Sequence, residues 1–492
     1  MAKRTAVIDI GSNSARMVIF ERTSRFGFHL VNETRSRVRI SEGAYEKSGE
    51  LQEAAMARAQ KALAEFLEIA RSYKTRKILC IATSAVRDAP NRKDFLKRIE
   101  TSLGLRIKVI DGHKEAWLGG VAAVNLLPIQ NGITIDIGGG STDMARIENR
   151  RIVETYTLNL GTVRLKELFF DKKRPVEEAK AYIEGVLSSL PPSFHSRLAV
   201  GIGGTIRALS KAIMEREHHA LELIHAFEYD LADQRKFINK IAHAPLMKLS
   251  KHGIKKDRID TIRPGALIFL SVLEKIGAEH VITSGVGVRE GVFLSDLLRN
   301  SNHLFPANFN PSLRSLQDRF CTDTRFAAAL AATAGSLFDA LCKPFDLPQE
   351  LRPLLITAAK LSQIGIRLNF YGYHKHSAYF VMNNLDYGFT HEEMILIATL
   401  IRFNKRRLPK ESFTKPYKKL LPGADTLAWL SYIVSLAQAI HASRATGRIQ
   451  AYYDNEVLCI DTPFKTYLAQ ERIKELQKPG PIAVQFKDSA EC

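Results

Sequence analysis

A nine-residue segment occurs twice in this chain, and it limits the possible folds more than any other feature. DIGSNSARM begins at Asp9 and DIGGGSTDM begins at Asp136, with five of nine positions identical. The shared positions are Asp9/Asp136, Ile10/Ile137, Gly11/Gly138, Ser14/Ser141 and Met17/Met144. Each copy follows a β-branched run, TAVIDI (5–10) or GITIDI (132–137), which reads as a buried strand feeding a tight turn. A shared Asp-Ile-Gly is a weak signal. The longer D-I-G-x-x-S-x-x-M favours duplication over chance, at a spacing far beyond a solenoid period. Two similar α/β domains are expected, each opening with its own loop.

The chemistry of such a loop is specific. A Gly-rich turn after a strand directs several backbone N–H groups at one point, and with Ser or Thr hydroxyls these suit phosphate oxygens. The candidate phosphate-binding residues are Gly11, Ser12, Asn13, Ser14 and Arg16 in the first copy. In the second they are Gly138, Gly139, Gly140, Ser141 and Thr142. A third turn, GIGGT (201–205), adds Gly203, Gly204 and Thr205, although alone it is more often a plain turn. Asp9 and Asp136, at the strand ends, suit Mg²⁺, which takes hard oxygen ligands and keeps several waters.

Strands and helices alternate on either side of the second loop. KILCIAT (77–83), LRIKVID (105–111), RLAVGIGG (197–204) and HVITSGVG (280–287) read as strands, and Leu51 to Tyr73 has helical spacing. Near residue 300 the texture changes. NSNHLFPANFNPS (300–312) reads as a boundary, and beyond it 325–341, 351–361, 392–403 and 427–442 carry helical patterns. The expected organisation is 1–124, 125–303 and a helical module over 304–492, with a short tail from 478.

Composition decides between partner classes. A net charge of +19 and a pI near 9.6 favour polyanions, though a merely solubilising surface would look the same. The five cysteines are scattered without a CxxC pair, which argues against a disulfide framework or zinc cluster. No apolar run reaches the ~18 residues of a membrane span, and Asp9 interrupts the N-terminal apolar stretch too early for a signal peptide. A cytoplasmic protein is expected.

Two further segments follow strands. In ATSAVRDAPN (82–91), Ser84 and Arg87 could face the cleft, but spacing alone favours a surface arginine near a helix start. In DGHKEAWLGG (111–120), Glu115 falls at a helix start, where capping is the default reading. It becomes a general base only if it reaches a water held against phosphate.

These blocks, with LNLGTVRLKE (158–167), GIGGTIRAL (201–209), SGVGVREG (284–291), HKHSAYFVMNN (374–384) and ATLIRFNKRR (398–407), resemble the exopolyphosphatase/guanosine pentaphosphatase (Ppx/GppA) family. That family belongs to the sugar kinase, actin and heat-shock chaperone superfamily. The resemblance spans nearly the whole chain. It implies an α/β fold in which two ribonuclease-H-like domains flank a cleft, followed by an all-helical module like that of HD phosphohydrolases. It also implies Glu115 as the base that activates water, Arg87 as a cleft arginine, Asp136 as a metal or phosphate carboxylate, and Ser141 with Gly138, Gly139 and Gly140 as a phosphate cradle. The implied activity is Mg²⁺-dependent release of terminal phosphate from polyphosphate or guanosine pentaphosphate, and the implied partners are polyphosphate or guanosine penta- or tetraphosphate. The implied protein is a homodimer with no membrane and no specific nucleic-acid partner.

Two positions depart from the family pattern. Asp143 stands where Glu is usual, and its shorter arm lets a metal contact run through water. The HD-like pair position reads Ser362-Gln363, poor metal ligands that argue against a second metal centre. His374 and His376 are then structural or phosphate-contacting. IRFNKRRLPKESFTKPYKKL (401–420) carries eight Lys/Arg against one acidic residue and is read as a polyanion track. The alternatives are an ATP-dependent kinase on the same cleft, or a non-catalytic sensor of guanosine tetraphosphate or polyphosphate.

Overall fold

The computed structural model describes residues 3–43 and 49–487. The chain divides into two compact units, one ending at Phe309 and one beginning at Asn310. Among the described residues no helix is long and apolar enough to cross a membrane.

The first unit holds two sheets of the same plan. In the first, β1 (Lys3–Ile10), β2 (Ala15–Arg22), β3 (Phe28–Ser36), β4 (Lys77–Ala82) and β5 (Lys108–Val109) lie in the order β3-β2-β1-β4-β5. The three N-terminal strands are antiparallel, and β4 and β5 run parallel to β1. The second sheet repeats this with β6 (Gly132–Ile137), β7 (Thr142–Glu148), β8 (Arg151–Leu158), β9 (Leu198–Ile202) and β11 (His280–Thr283), and adds β10 (Phe227–Asp230) at the edge. β6 and β9 correspond to β1 and β4. This shared order is the ribonuclease-H-like arrangement expected for two duplicated domains.

Both hairpins form for the same reason. Ala6 to Ile8 and Ile133 to Ile135 are buried on both faces, as near-continuous β-branched runs in a covered sheet should be. The amide of Gly11 donates to Ser14 O (3.2 Å) and that of Gly138 to Ser141 O (2.9 Å), so the two turns close in the same way.

One exchange departs from the expected boundary at 124, which falls inside the helix Gly112–Leu126. That helix packs on the second sheet: Ala123 and Val124 join a core cluster with Ile147, Val200 and Ile282. The helix Val288–Leu297 does the reverse, stacking Phe293 on Phe20 of β2 at 4.4 Å between ring centroids. A ring buried this way is worth about 3–5 kcal/mol against truncation to Ala. The two helices touch each other where a Cβ on Gly291 would lie 2.0 Å from Leu118 O. The first unit also runs past the expected end at 303, because Phe305 and Phe309 pack on Phe26.

The second unit is helical through Ile440, with Thr324–Leu341, Arg352–Leu361, His391–Arg402 and Ala424–Ile440 close to the expected spans, and carries a further helix at Tyr467–Lys474. It also contains a three-stranded sheet that the sequence reading lacks: β12 (Gln450–Asp454), β13 (Val457–Asp461) and β14 (Ala483–Lys487). QAYYD and VLCID alternate in burial, and Asn455 and Glu456, both at positive φ, form the tight turn between them. The tail from 478 supplies β14, while 488–492 lie outside the described residues.

Candidate active site

The two glycine loops meet at a cavity of about 180 Å³ between the sheets. Asp9, at the end of β1, and Asp136, at the end of β6, both line it. So do Gly11, Ser12, Asn13, Ser14 and Arg16 of the first loop, and Gly138, Gly139 and Ser141 of the second. Gly203, Gly204 and Thr205 join them from the start of the helix Gly203–Arg216. Gly203 has φ +83°, and a Cβ there would fall 2.2 Å from Asp136 Oδ1, so this turn can approach the carboxylate only as glycine.

The loops are held by their carbonyls. Ser41 Oγ donates to Ser12 O, and Arg39 N to Asn13 O. Thr162 N donates to Gly138 O and Val163 N to Gly139 O, both at 2.9 Å, which gives the LNLGTVRLKE block its place. Among the described residues no protein group accepts from the amides of Ser12, Asn13, Gly139 or Gly140. Anchored carbonyls with free amides make a cradle for anions.

Glu115 lines the same cavity from the first turn of the helix Gly112–Leu126. It is not the cap. Asp111 is, its side chain accepting from Lys114 N at 2.7 Å. The Glu115 carboxylate is 15% exposed and meets Arg87 Nη1 at 3.5 Å. Arg87 also donates to Ile110 O, so the surface-arginine reading gives way to a half-buried brace on Glu115. Arg87 does not itself line the cavity.

Three more expected residues stand back from the cavity. Thr142 Oγ1 donates to Leu160 O at 2.6 Å. Side chains alternate along β7, so Thr142 and Asp143 point to opposite faces, and the Thr142 hydroxyl is turned away from any phosphate. Gly140 O is taken by Arg164 Nε at 3.1 Å. Asp143 sits behind Ser141, whose hydroxyl donates to Asp143 Oδ2 at 2.9 Å.

The carboxylates are crowded. Burial pushes Asp9 up to about 6, with Arg289 and Arg16 opposing and Asp136 and Glu290 adding to the rise. Burial pushes Asp143 up to about 7, and the Ser141 hydroxyl opposes it. Asp136 is raised by burial against the pull of Arg207, Arg16 and Arg289. Glu115 is raised well above the usual range, first by burial and then by Asp143, Asp136 and Asp9, with Arg87 opposing. Asp9 Oδ1 and Asp143 Oδ1 make no hydrogen bond.

Five guanidinium groups line the same cavity: Arg16, Arg35, Arg207, Arg258 and Arg289. Glu33 meets Arg289 at 2.7 Å and Arg16 at 3.6 Å, and Asp257 meets Arg35 at 3.2 Å. Burial and the neighbouring arginines hold Arg16 down at about 10, still charged at neutral pH. The site therefore brings buried carboxylates and guanidinium groups to one cavity. Of the arginines, sequence reasoning singled out only Arg16. Arg207 and Arg289 lie in blocks that carried the family resemblance, whereas Arg35 and Arg258 sit in no motif.

The C-terminal pair read as poor metal ligands is engaged in hydrogen bonds. Ser362 Oγ donates to Ala359 O and accepts from Gln438 Nε2, and Gln438 Oε1 accepts from Gln363 Nε2. His374 is half-buried and pushed down to about 4 by burial and by Lys405, Lys375, Arg402 and His376.

Residues 18–300 match the model of the Ppx/GppA phosphatase family, and residues 310–468 match that of Ppx/GppA phosphatase domain III. Among solved structures the chain is similar to a Ppx/GppA family member from Aquifex aeolicus, at 26% identity over 61% of this chain and 99% of that one, with a TM-score of 0.54. A PPX-GPPA enzyme from the same organism matches at 27% identity over 60% of this chain and all of that one, with a TM-score of 0.52. An exopolyphosphatase from Cytophaga hutchinsonii, at 23% identity over 60% of this chain and 98% of that one, has a TM-score of 0.56 and shows the likeness of fold.

Proposed function

This chain belongs to the Ppx/GppA phosphatase family, and on that premise we propose that its cleft hydrolyses the terminal phosphoanhydride of inorganic polyphosphate or guanosine pentaphosphate. The observation that carries the reading is the placement of Glu115. Its helix is capped by Asp111, so the carboxylate is left to face the cavity between two anion cradles.

The residues divide the work by charge. The free amides of Ser12, Asn13 and Gly139, with the arginines that line the cavity, bind and orient the terminal phosphate. Glu115 takes a proton from water while the water oxygen attacks phosphorus in line. The bond to the bridging oxygen breaks, and that oxygen leaves with the shortened anion. Arg87 holds the Glu115 carboxylate in place through the whole step.

A divalent cation fits this site. Asp9 and Asp136 are the residues that would hold it, since both are raised by burial and Asp9 Oδ1 is unpartnered. Among the described residues no three His, Cys, Asp or Glu side chains form a ligand cluster by themselves. That suits Mg²⁺, which binds through one or two carboxylates and keeps waters and phosphate oxygens in the rest of its shell. When bound it supplies charge to the phosphoryl oxygens. Asp143 is tied to Ser141 and would support such a site from behind that serine.

In the second unit, Arg407, Lys410, Lys418 and Lys419 are exposed and, among the described residues, in no ion pair. They support a polyanion-binding surface for long chains.

The test is phosphate release from long polyphosphate and from guanosine pentaphosphate, side by side, with and without Mg²⁺. Free phosphate without an added acceptor supports the reading. Phosphate transfer that requires an acceptor supports a kinase, and tight binding without turnover supports a sensor.

A further inference from the structure

A second cavity, larger than that of the candidate active site, lies in the second unit. It has a volume of about 540 Å³, within the range of small-molecule sites. Its floor is neutral: Gln363 and Gln438 line it, hydrogen-bonded to each other, at the place where HD enzymes carry ionisable ligands. The two lining groups able to act on water are already engaged, His441 with Thr333 Oγ1 and Ala445 O and Glu475 with Arg406, so the cavity is suited to binding rather than cleavage.

What lines it is chemically selective. Asn404 is 1% exposed, and neither its Nδ2 nor its Oδ1 makes a hydrogen bond. Burying a donor and an acceptor without partners is unfavourable, and in a satisfied interior it is rare. An amide that offers both side by side matches the paired acceptor and donor on a purine edge. Of the aromatic rings that line the same cavity, Phe370 and Tyr373 lie near each other. Phe370 is 65% exposed at its rim, and Tyr373 lies 6.3 Å from it between ring centroids. A large apolar ring held that far into solvent gains little from the fold and suits stacking. Lys405 and Arg472 also line the cavity, and among the described residues neither has a carboxylate partner.

We propose that this cavity is a second, non-catalytic ligand site that takes a purine nucleoside polyphosphate, with the base on Phe370 and Tyr373, its edge at the Asn404 amide, and the phosphates on Lys405 and Arg472. The inference does not depend on hydrolysis in the first unit and goes beyond it. A phosphate chain without a base would satisfy the two cations and leave the amide and rings idle.

The test is calorimetric titration of the full chain with ATP, GTP and inorganic tripolyphosphate, in the parent, Asn404→Leu and Tyr373→Ala. At least one purine nucleotide should bind ten-fold or more tighter than tripolyphosphate. Each substitution should remove most of that preference and leave tripolyphosphate affinity and phosphate release as in the parent. Because the Asn404 amide is unpartnered, Asn404→Leu should keep or raise the melting temperature. Three results would each overturn the proposal: equal affinity for nucleotides and tripolyphosphate, nucleotide affinity retained in both variants, or a lowered melting temperature in Asn404→Leu. A nucleotide site that survives in a protein without phosphatase activity would sink the hydrolytic reading and leave this one standing.

Discussion

Arg16 and Asp143 occupy the same place in the two duplicated hairpins, one cationic and one acidic. Arg16 faces Asp9 across β1 and β2, and Asp143 faces Asp136 across β6 and β7. Duplication supplied two equivalent walls, and this one position made them different. The first wall carries its own countercharge. The second carries two buried carboxylates in register, and so is the wall that gains most from a cation.

That asymmetry has a pH signature. The folded chain holds Asp143 at about 7 against an ordinary 3.8. Its contribution to stability is therefore fully present below about pH 4 and is lost as the pH rises through 7. Asp143→Asn removes this dependence and can still accept from Ser141. In chelator, the stability advantage of the variant over the parent should grow from pH 5 to pH 8 by on the order of 2 kcal/mol. Thermal unfolding across that range checks it, and a pH-independent difference would speak against a buried acid pair.

Gly203 tests how closely the third turn must approach Asp136. Gly203→Ala incurs about 1–2 kcal/mol of left-handed backbone strain and drives a methyl into Asp136 Oδ1. Gly104→Ala, at φ +62° with nothing within 4 Å, bears the same strain alone. Both should lower the melting temperature, but only Gly203→Ala should also cut turnover, by about a hundredfold for a displacement near 1 Å. Equal turnover in the two variants would remove Asp136 from the chemistry.

Much of this site was legible in the repeat. The strands, the turns and the pairing of Asp9 with Asp136 all follow from nine residues read twice. The cluster of arginines was not, since Arg35, Arg207, Arg258 and Arg289 come from four separate segments that only the fold brings together. Nor was the helix exchange. GHKEAWLGGVAAVNL is apolar almost all round, and nothing in its pattern says which sheet it covers. Thr142 could have been excluded, since strand alternation turns it from the face that Asp143 occupies. The hairpin of β12 and β13 escaped because its turn is Asn455-Glu456, without the glycine that usually marks such turns.

Arg87 should set the acid limb of activity. It opposes the rise in Glu115 proton affinity, so Arg87→Gln leaves the ionised carboxylate less supported. The acid limb of the kcat/KM profile should move to higher pH, with part of the lost rate regained in alkaline buffer. An unmoved limb with uniformly lower rate would mean that Arg87 acts on substrate rather than on Glu115.

The basic run of the second unit should matter only for long substrates. Neutralising Arg407, Lys410, Lys418 and Lys419 together should raise KM for long polyphosphate about ten-fold or more and leave that for guanosine pentaphosphate within about two-fold. The long-chain effect should shrink with added salt, because exposed charges are screened. Equal losses for both substrates would count against a track.

Glu115→Gln tests the central claim most directly. The substitution keeps the size and most of the hydrogen bonding of the side chain while removing its basicity. Phosphate release and substrate affinity are measured on the same variant, with melting temperature as the control. If Glu115 activates the water, turnover falls by about 10²–10⁴, affinity holds or improves, and the melting temperature is unchanged or rises as a buried carboxylate is neutralised. Turnover close to that of the parent would contradict the account and move the search for the base to Asp136 or Asp143.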